Sequence, residues 1–264
     1  MSRAWILAAL FFSFPAHAAV NGLPFDPSLY SNPSALISPA LANSLVKMVG
    51  TLSDEKSYEP ASALGTSAGV DISIEATLFK VSKDFLDALS SAGVNTGAAI
   101  PFVPIAKLHI HKGLSDRVDI GVSGIFFEGY SIWGSEIKIV TYQPEEGPVW
   151  AIRMSYSRGN LGFVSTTTYT PAVLLSQPLD YMEPYVGLAY EIIQGDINIT
   201  VPAQQIAGQT IVIPALTASG SASAAIAFMG LGFRIPHSGL KLTIEGSYNT
   251  GGADALGIKF GFNF

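Results

Sequence analysis

Hydrophobic and polar residues alternate one by one through most of the chain from Gly65 onward. The alternation is clearest in the last stretch, Ala253–Phe264, where every second residue from Leu256 to Phe264 is large and apolar. The residues between them are Gly, Lys or Asn. Successive side chains of a β-strand point to opposite faces of the sheet, so this stretch predicts a strand with one apolar and one polar face.

The same pattern divides the rest of this region into about ten predicted strands. They are Thr66–Val81, Phe102–His111, Arg117–Phe127, Ile132–Tyr142, Val149–Ser157, Phe163–Ser176, Pro184–Ile193, Ser219–Ile235, Leu240–Tyr248 and Ala255–Phe264. Short connections alternate with longer ones, of which Ser82–Pro101 and Gln194–Ala218 are the longest. The pattern predicts an all-β fold, an antiparallel up-and-down β-barrel. Eight or twelve strands stay open, because Pro171 interrupts the sixth stretch and the eighth is poorly patterned.

Composition places the apolar face of these strands against lipid. Mean hydropathy is +0.38 and only 13% of the residues are charged, compared with about 25% in soluble domains. A soluble chain with so few charges would struggle to cover its surface, whereas a barrel can turn half of each strand toward a bilayer. We therefore expect a transmembrane barrel. The net charge of −6 and the lack of a basic patch argue against nucleic acid as a partner.

Charged residues and two histidines lie on the polar face of the predicted strands. The set comprises Asp71, Glu75, Lys107, His109, His111, Asp119, Glu136, Lys138, Arg153, Glu191, Arg234, Lys241, Glu245 and Lys259. A Lys or Arg that faces lipid at the bilayer midplane costs about 2–4 kcal/mol, so a membrane would enforce this segregation. Cations and anions in the set balance, which predicts ion pairs across a filled polar lumen more than an ion-selective pore.

The first 18 residues have the pattern of a cleaved signal peptide. Arg3 precedes an apolar run, Ala4–Phe14, which is too short to span a bilayer as a helix. Pro15 ends this run, and Ala16–Ala18 is an A-x-A cleavage site before Ala19. We therefore expect export of the chain.

An amphipathic final strand with an aromatic carboxyl terminus resembles the closing strand of bacterial outer-membrane β-barrel proteins. The resemblance covers Gly65–Phe264 and implies a location in the bacterial outer membrane, with outer-membrane lipid as a partner. It also implies that Phe260, Phe262 and Phe264 form the signal by which the barrel insertion machinery recognises the chain. The predicted division is a signal peptide (1–18), an amino-terminal segment (19–64) and the barrel (65–264).

The amino-terminal segment, residues 19–64, lacks the strand alternation. Apolar residues recur in it at helical spacing, namely Leu36, Ile37, Leu41, Leu45, Met48 and Val49. This spacing predicts a short amphipathic helix with Pro39 near its first turn, followed by the polar linker Ser53–Glu59. The helix is expected either in the periplasm or as a plug inside the barrel.

Few residues in the chain suggest chemistry. His109 and His111 share one strand face, a spacing compatible with metal binding, but a third ligand from another strand would be needed and no motif supplies it. Hydrogen bonding in the lumen explains the pair without a metal. The chain has no cysteine and no G-x-S-x-G sequence. We therefore expect no enzymatic activity, no metal and no cofactor.

The predicted function is a structural or binding role, or a narrow conduit, in a barrel with a polar lumen. A small-molecule ligand remains open as a partner, and the two longest connections could form a binding surface. Asn32–Leu36, N-P-S-A-L, resembles the N-P-A element in the amino-terminal hatch of the long-chain fatty acid transporter family. That resemblance implies the alternative, transport of hydrophobic small molecules.

Overall fold

The structure is a computed structural model. It describes residues 38–66, 69–91, 102–127, 130–199, 204–206, 209–211, 216–235 and 238–264. The predicted signal peptide, the Asn32–Leu36 element and the first apolar residues of the predicted helix lie outside the described residues.

Ten antiparallel strands close a barrel, as the alternation predicts. They are β1 (Val70–Lys80), β2 (Phe102–Gly113), β3 (Val118–Phe127), β4 (Tyr130–Tyr142), β5 (Val149–Asn160), β6 (Val164–Ser176), β7 (Met182–Ile199), β10 (Leu216–Arg234), β11 (Leu240–Asn249) and β12 (Ala255–Asn263). Each strand pairs with its neighbours in the chain, and β1 pairs with β12 from Asp71↔Asn263 to Phe79↔Ala255. The hydrogen-bonded wall therefore closes on itself, and the predicted strand number of ten is confirmed.

The two ends of the barrel differ. At one end, the turn end, short connections such as Gln143–Pro148 join the strands. The other end, the loop end, carries the short helix α2 (Lys83–Ser91), which the sequence pattern did not predict, and a separate hairpin of β8 (Gln204–Ile206) and β9 (Gln209–Ile211). By the rule for such barrels, short turns face the periplasm and longer loops face outward.

The β7–β10 pair projects beyond its neighbours at the loop end. Its pairing continues from Phe233↔Met182 to Leu216↔Ile199. A tilted strand of about 9–11 residues crosses a bilayer, whereas these two strands have 18 and 19 residues. The predicted end of the seventh strand at Ile193 was too early, because small residues of β10 pair with the polar part of β7 beyond the apolar zone.

Pro171 does not interrupt β6. It pairs with Met154 of β5, and the pairing of β6 with β7 omits only Thr170 and Pro171. Proline lacks an N–H group and therefore removes ladder bonds on one side of the strand alone.

The outer surface of the wall is apolar. Side chains such as Ile74, Leu108 and Leu188 are 58%, 61% and 62% exposed, respectively, while their neighbours in sequence are buried or half-buried. Aromatic rings are exposed near strand ends, among them those of Tyr142 and Trp150. This exterior matches a lipid-facing surface with aromatic residues toward its borders.

The barrel is filled by residues 38–64, here called the plug. Its first part is helix α1 (Pro39–Ser53), which has Pro39 in its first turn and begins at Ser38, whose hydroxyl accepts a hydrogen bond from the amide of Leu41. Its second part is an extended segment, 54–64, of which residues 54–62 are fully buried. Among the described residues, neither helix is long and apolar enough to cross a membrane.

Contacts with the strands place the plug inside the wall. Hydrogen bonds or ion pairs join the plug to all ten barrel strands, through Thr77, Lys107, Ser123, Lys138, Arg153, Thr170, Glu191, Ser221, Lys241 and Lys259. A segment can contact every strand of a closed barrel only from within it. The plug therefore runs from α1 at the loop end to Leu64 at the turn end, where β1 begins.

Candidate functional site

Four buried charges form the centre of the contact between plug and wall. Glu59 of the plug forms ion pairs with Lys241 of β11 and Lys259 of β12. Asp71 of β1 lies 3.8 Å and 3.7 Å from the same two ammonium groups. Two anions and two cations thus compensate one another in the low-dielectric interior.

Lysines of the wall also bind backbone carbonyls of the extended segment. Lys138 donates to the carbonyl oxygens of Pro60 and Ser62 at 3.0 Å and 2.7 Å. Lys107 donates to the carbonyl of Asp54 at 2.5 Å, and Lys259 donates to that of Ser57 at 2.9 Å. An extended segment cannot satisfy its own backbone groups, and buried carbonyls need donors. These lysines supply them.

Acidic groups of the wall bind backbone amides near the turn end. Leu64 donates its amide to both carboxylate oxygens of Asp119 at 3.1 Å, and Lys138 lies 3.1 Å from the same carboxylate. Glu183 accepts from the amide and the hydroxyl of Ser62 at 3.2 Å and 2.6 Å. The end of the plug is therefore fixed to β3 and β7.

A second charged cluster lies where α1 meets the extended segment. Lys56 lies 3.1 Å from Asp54 and 3.8 Å from Glu191. Glu191 accepts hydrogen bonds from Thr51 at 3.1 Å and from Asn249 at 2.9 Å. This cluster fixes the last turn of the helix against β7 and β11.

The two histidines of β2 lie between carboxylates. Nε2 of His109 is 2.5 Å from Glu75, and its Nδ1 is 3.3 Å from Glu55 of the plug. Nε2 of His111 is 3.3 Å from Glu136. The two imidazole rings stack with centroids 5.6 Å apart and an interplanar angle of 18°, so both face the plug from the same side of the strand.

Toward the loop end the lumen becomes apolar. Leu45, Val46, Val49 and Leu52 of α1 are buried in one cluster with inward-facing side chains of the wall, which are Phe79, Val103, Val164, Ile193 and Ile197. Helix α1 therefore packs against the part of the inner wall that carries apolar side chains.

The structure brings the charged residues and histidines predicted to face the lumen together, with one exception. All its members except Arg234 are buried. The side chain of Arg234 is 48% exposed and binds Glu183 at 3.1 Å, so it lies at the turn-end rim rather than in the enclosed network. The reason is its position as the last residue of β10, where the wall ends.

Sequence reasoning missed five members of this network. They are Asp54, Glu55, Lys56 and Glu59 of the plug and Glu183 of β7. The first four were assigned to a polar linker and Glu183 to a turn. A signal was present, because four charges within six residues are conspicuous in a chain of which only 13% is charged.

The three terminal phenylalanines lie on the outer surface. Phe260, Phe262 and Phe264 are exposed, and successive ring centroids are 6.4 Å and 6.3 Å apart. Their recognition by the insertion machinery stays a prediction.

Two shallow grooves also open on the outer surface. One, of about 540 Å³, includes Ile137, Ile152 and Leu188 in its lining, and the other, of about 720 Å³, includes Val186 and Met229. Their apolar linings suit lipid chains.

Three solved structures of bacterial proteins match this chain at very low sequence identity and low TM-score. The N-terminal β-barrel domain of Pseudomonas aeruginosa OprF is 13% identical, with a TM-score of 0.28. Ail, the attachment invasion locus protein of Yersinia pestis, is also 13% identical, with a TM-score of 0.30, and Omp33 of Acinetobacter baumannii is 7% identical, with a TM-score of 0.31. Each match covers 74% of this chain and 97% of the other.

No protein-family model matches the sequence, and no curated protein sequence matches it. Ten strands in a closed ring, each antiparallel to its neighbours, and an apolar exterior define the fold. The chain is a closed, ten-stranded, antiparallel up-and-down β-barrel with an apolar exterior.

Proposed function

We propose that this protein is a non-enzymatic barrel of the bacterial outer membrane whose lumen is closed by its own amino-terminal segment. The observation that carries the proposal is the continuous burial of residues 48–62, which extend from α1 toward the turn end and contact the wall on all sides. A barrel filled in this way serves as a stable membrane anchor for its loop end, where β7, β10 and the β8–β9 hairpin present a surface for binding.

Conductance in a planar bilayer tests the closed lumen. The natural chain has no cysteine, so an introduced pair can lock the plug without other disulfides. Ala61 of the plug and Ser176 of β6 suit such a pair, because the amide of Ala61 donates to the Ser176 hydroxyl at 3.2 Å. We expect no stepwise current from the natural protein, or from the Ala61→Cys/Ser176→Cys variant in its oxidised or reduced form.

Currents from the natural protein that persist in the oxidised variant would contradict the closed lumen. Currents that disappear on oxidation and return on reduction would instead show that the plug opens a conduit. The reduced variant is the matched control, since it carries the same two substitutions without the cross-link.

Transport of hydrophobic small molecules is the second candidate. The observation in its favour is the apolar inner wall at the loop end, which α1 covers. Uptake of a radiolabelled fatty acid by cells that express the disulfide-locked variant separates the two functions. Uptake equal to that of cells without the protein supports the anchor, whereas uptake that rises on reduction of the disulfide supports the transporter.

The apolar exterior supports a location in the outer membrane, which fractionation tests. We expect the protein in the outer-membrane fraction, soluble only after addition of detergent. Recovery from the periplasmic extract without detergent would contradict this location.

A further inference from the structure

The contact between plug and wall contains a set of ligands that only the folded lumen brings together. Glu55 of the plug and His109 and His111 of β2 each offer one ligand atom, and these atoms lie within 4.8 Å of one another. All three side chains are buried. In a tetrahedral zinc site with metal–ligand distances of about 2.0–2.1 Å, ligand atoms lie roughly 3.4 Å apart. The 3.3 Å between Nδ1 of His109 and Oε1 of Glu55 matches that spacing.

Several of these atoms have no hydrogen-bond partner among the described residues. They are Oε1 of Glu55, Nδ1 of His109 and both ring nitrogens of His111. A buried polar atom without a partner costs about 1–3 kcal/mol. A bound cation would satisfy the carboxylate oxygen and one nitrogen of each histidine at the same time.

The surrounding groups orient the ligands. Because Nε2 of His109 lies 2.5 Å from the Glu75 carboxylate, a proton on Nε2 leaves Nδ1 free to bind a metal. Ser123 donates its hydroxyl to Oε2 of Glu55, which leaves Oε1 for the cation. Glu136 lies 3.3 Å from His111. Metal-binding histidines in proteins almost always have such carboxylate partners.

Charge and competing partners distinguish this set from its neighbour. Glu59, Asp71 and His111 also meet within 4.8 Å, but Glu59 and Asp71 already compensate Lys241 and Lys259. Around Glu55, by contrast, the free oxygen faces an imidazole and not an ammonium group. The Glu55 set is therefore the better site for a cation.

We propose that Glu55, His109 and His111 bind one divalent transition-metal ion, with Zn²⁺ as the best chemical match, and that this ion ties the plug to β2. Two nitrogens and one carboxylate oxygen form a ligand set that zinc commonly accepts. Two ligands come from the wall and one from the plug. The site is therefore complete only when the plug is seated, and the bound ion stabilises the seated state.

Metal analysis of tag-free protein, purified in detergent and stripped with a chelator, tests the site. After addition of ZnSO₄ and removal of excess ion, elemental analysis should give one zinc per chain, and the midpoint of thermal unfolding should rise. Co²⁺ in place of zinc should give the visible absorption bands of a four-coordinate site.

Three variants and one control make the test specific. Glu55→Gln and His109→Gln should each abolish retention of zinc, and Glu75→Gln should weaken zinc binding about 10–100-fold. Glu145→Gln removes a carboxylate in an exposed turn outside the lumen and should keep the zinc. Heat-modifiable migration on gels shows whether each variant is folded.

The proposal is overturned if the folded natural protein retains no zinc, or if folded Glu55→Gln and His109→Gln retain as much as the natural chain. Zinc binding that is lost in folded Glu59→Gln but kept in folded Glu55→Gln would move the site to the neighbouring set. None of these outcomes depends on conductance, so the metal site and the proposed closed lumen are tested independently.

Discussion

Helix α1 and the extended segment after it lie in the same lumen but contact the wall by different chemistry. The helix buries Leu45, Val46 and Leu52 among apolar side chains at the loop end. The extended segment instead meets lysines and carboxylates, such as Lys138 and Asp119, toward the turn end. A helix satisfies its own backbone groups, whereas an extended segment leaves them to its surroundings. The composition of the inner wall therefore follows the backbone conformation of the plug.

Individual strands show this change along their inner face. On β2, Val103 near the loop end is followed on the same face by Lys107 and His109. On β7, Glu183 near the turn end is followed by Glu191 and then by Ile193. The inward charges thus extend only as far as the extended segment and end where α1 begins. They contact the plug.

The largest effect is expected from Glu59→Gln, which disrupts the charged contacts between the extended segment and the wall. The substitution leaves Lys241 and Lys259 with Asp71 as their nearby counter-charge. Breaking a buried pair by removal of one partner costs about 3–5 kcal/mol. Urea unfolding in detergent, followed by tryptophan fluorescence, should show a loss of that size, and Glu145→Gln in the exposed turn should show almost none.

The pH dependence of the same variant identifies the cause. The ion pairs need the ionised carboxylate of Glu59, and acid protonates this carboxyl in the unfolded chain around the ordinary pKa of about 4.3. The contribution of the ion pairs is therefore complete above this pH and decreases below it. The stability difference between the natural chain and Glu59→Gln should therefore shrink below about pH 4. A difference that stays constant down to pH 2 would mean that the lost contact is not ionic.

A smaller effect is expected from Leu52→Ala, which affects the apolar contacts between α1 and the wall. Leu52 is 1% exposed in the cluster around α1, and removal of a buried leucine side chain costs about 2–5 kcal/mol. The loss should be the same at pH 2 and pH 8, in contrast to that of Glu59→Gln. Leu41→Ala, at a half-buried position of the same helix, is the control and should cost less.

The smallest of the three effects is expected from Gly257→Leu, which changes the wall and leaves the plug sequence intact. A Cβ atom at Gly257 would collide with the ring of Tyr58, and overpacking of this kind costs about 1–3 kcal/mol. Gly246→Ala on the adjacent strand has no atom within 4 Å of the added carbon. It should match the natural chain in the same unfolding measurement, and equal losses in both variants would mean that Tyr58 is not packed against β12.

Strand positions were predictable from the sequence because each strand faces lipid on one side and the plug on the other. Apolar and polar residues therefore alternate along the strand with a period of two. The limits of β2, β3 and β10 differ from the predicted ones by a few residues at most. The inward parity of Asp71, Lys107 and the other charged residues follows from the same period. The β7 extension was missed because outside the bilayer this constraint disappears.

The extended part of the plug could not be recognised in this way. Residues 54–62 are surrounded by the wall and all buried, so they have no solvent-exposed face that would produce a periodic pattern. A weaker signal existed in the wall itself. An added Cβ at Gly134, Gly159 or Gly257 would collide with Glu55, Ser53 or Tyr58 of the plug. Glycines on the inward parity therefore mark the places where the plug passes closest.

The ion pair between Glu59 and Lys259 has a consequence for biogenesis, because 200 positions of the chain separate its two residues. The acidic partner is synthesised early, but its basic partner arrives with the closing strand. The ring must therefore form around a segment that already occupies it, or that segment must enter afterwards from one end. In either case Lys259 meets Glu59 only when the closing strand is in place, so the lysine lacks this partner until the ring is complete.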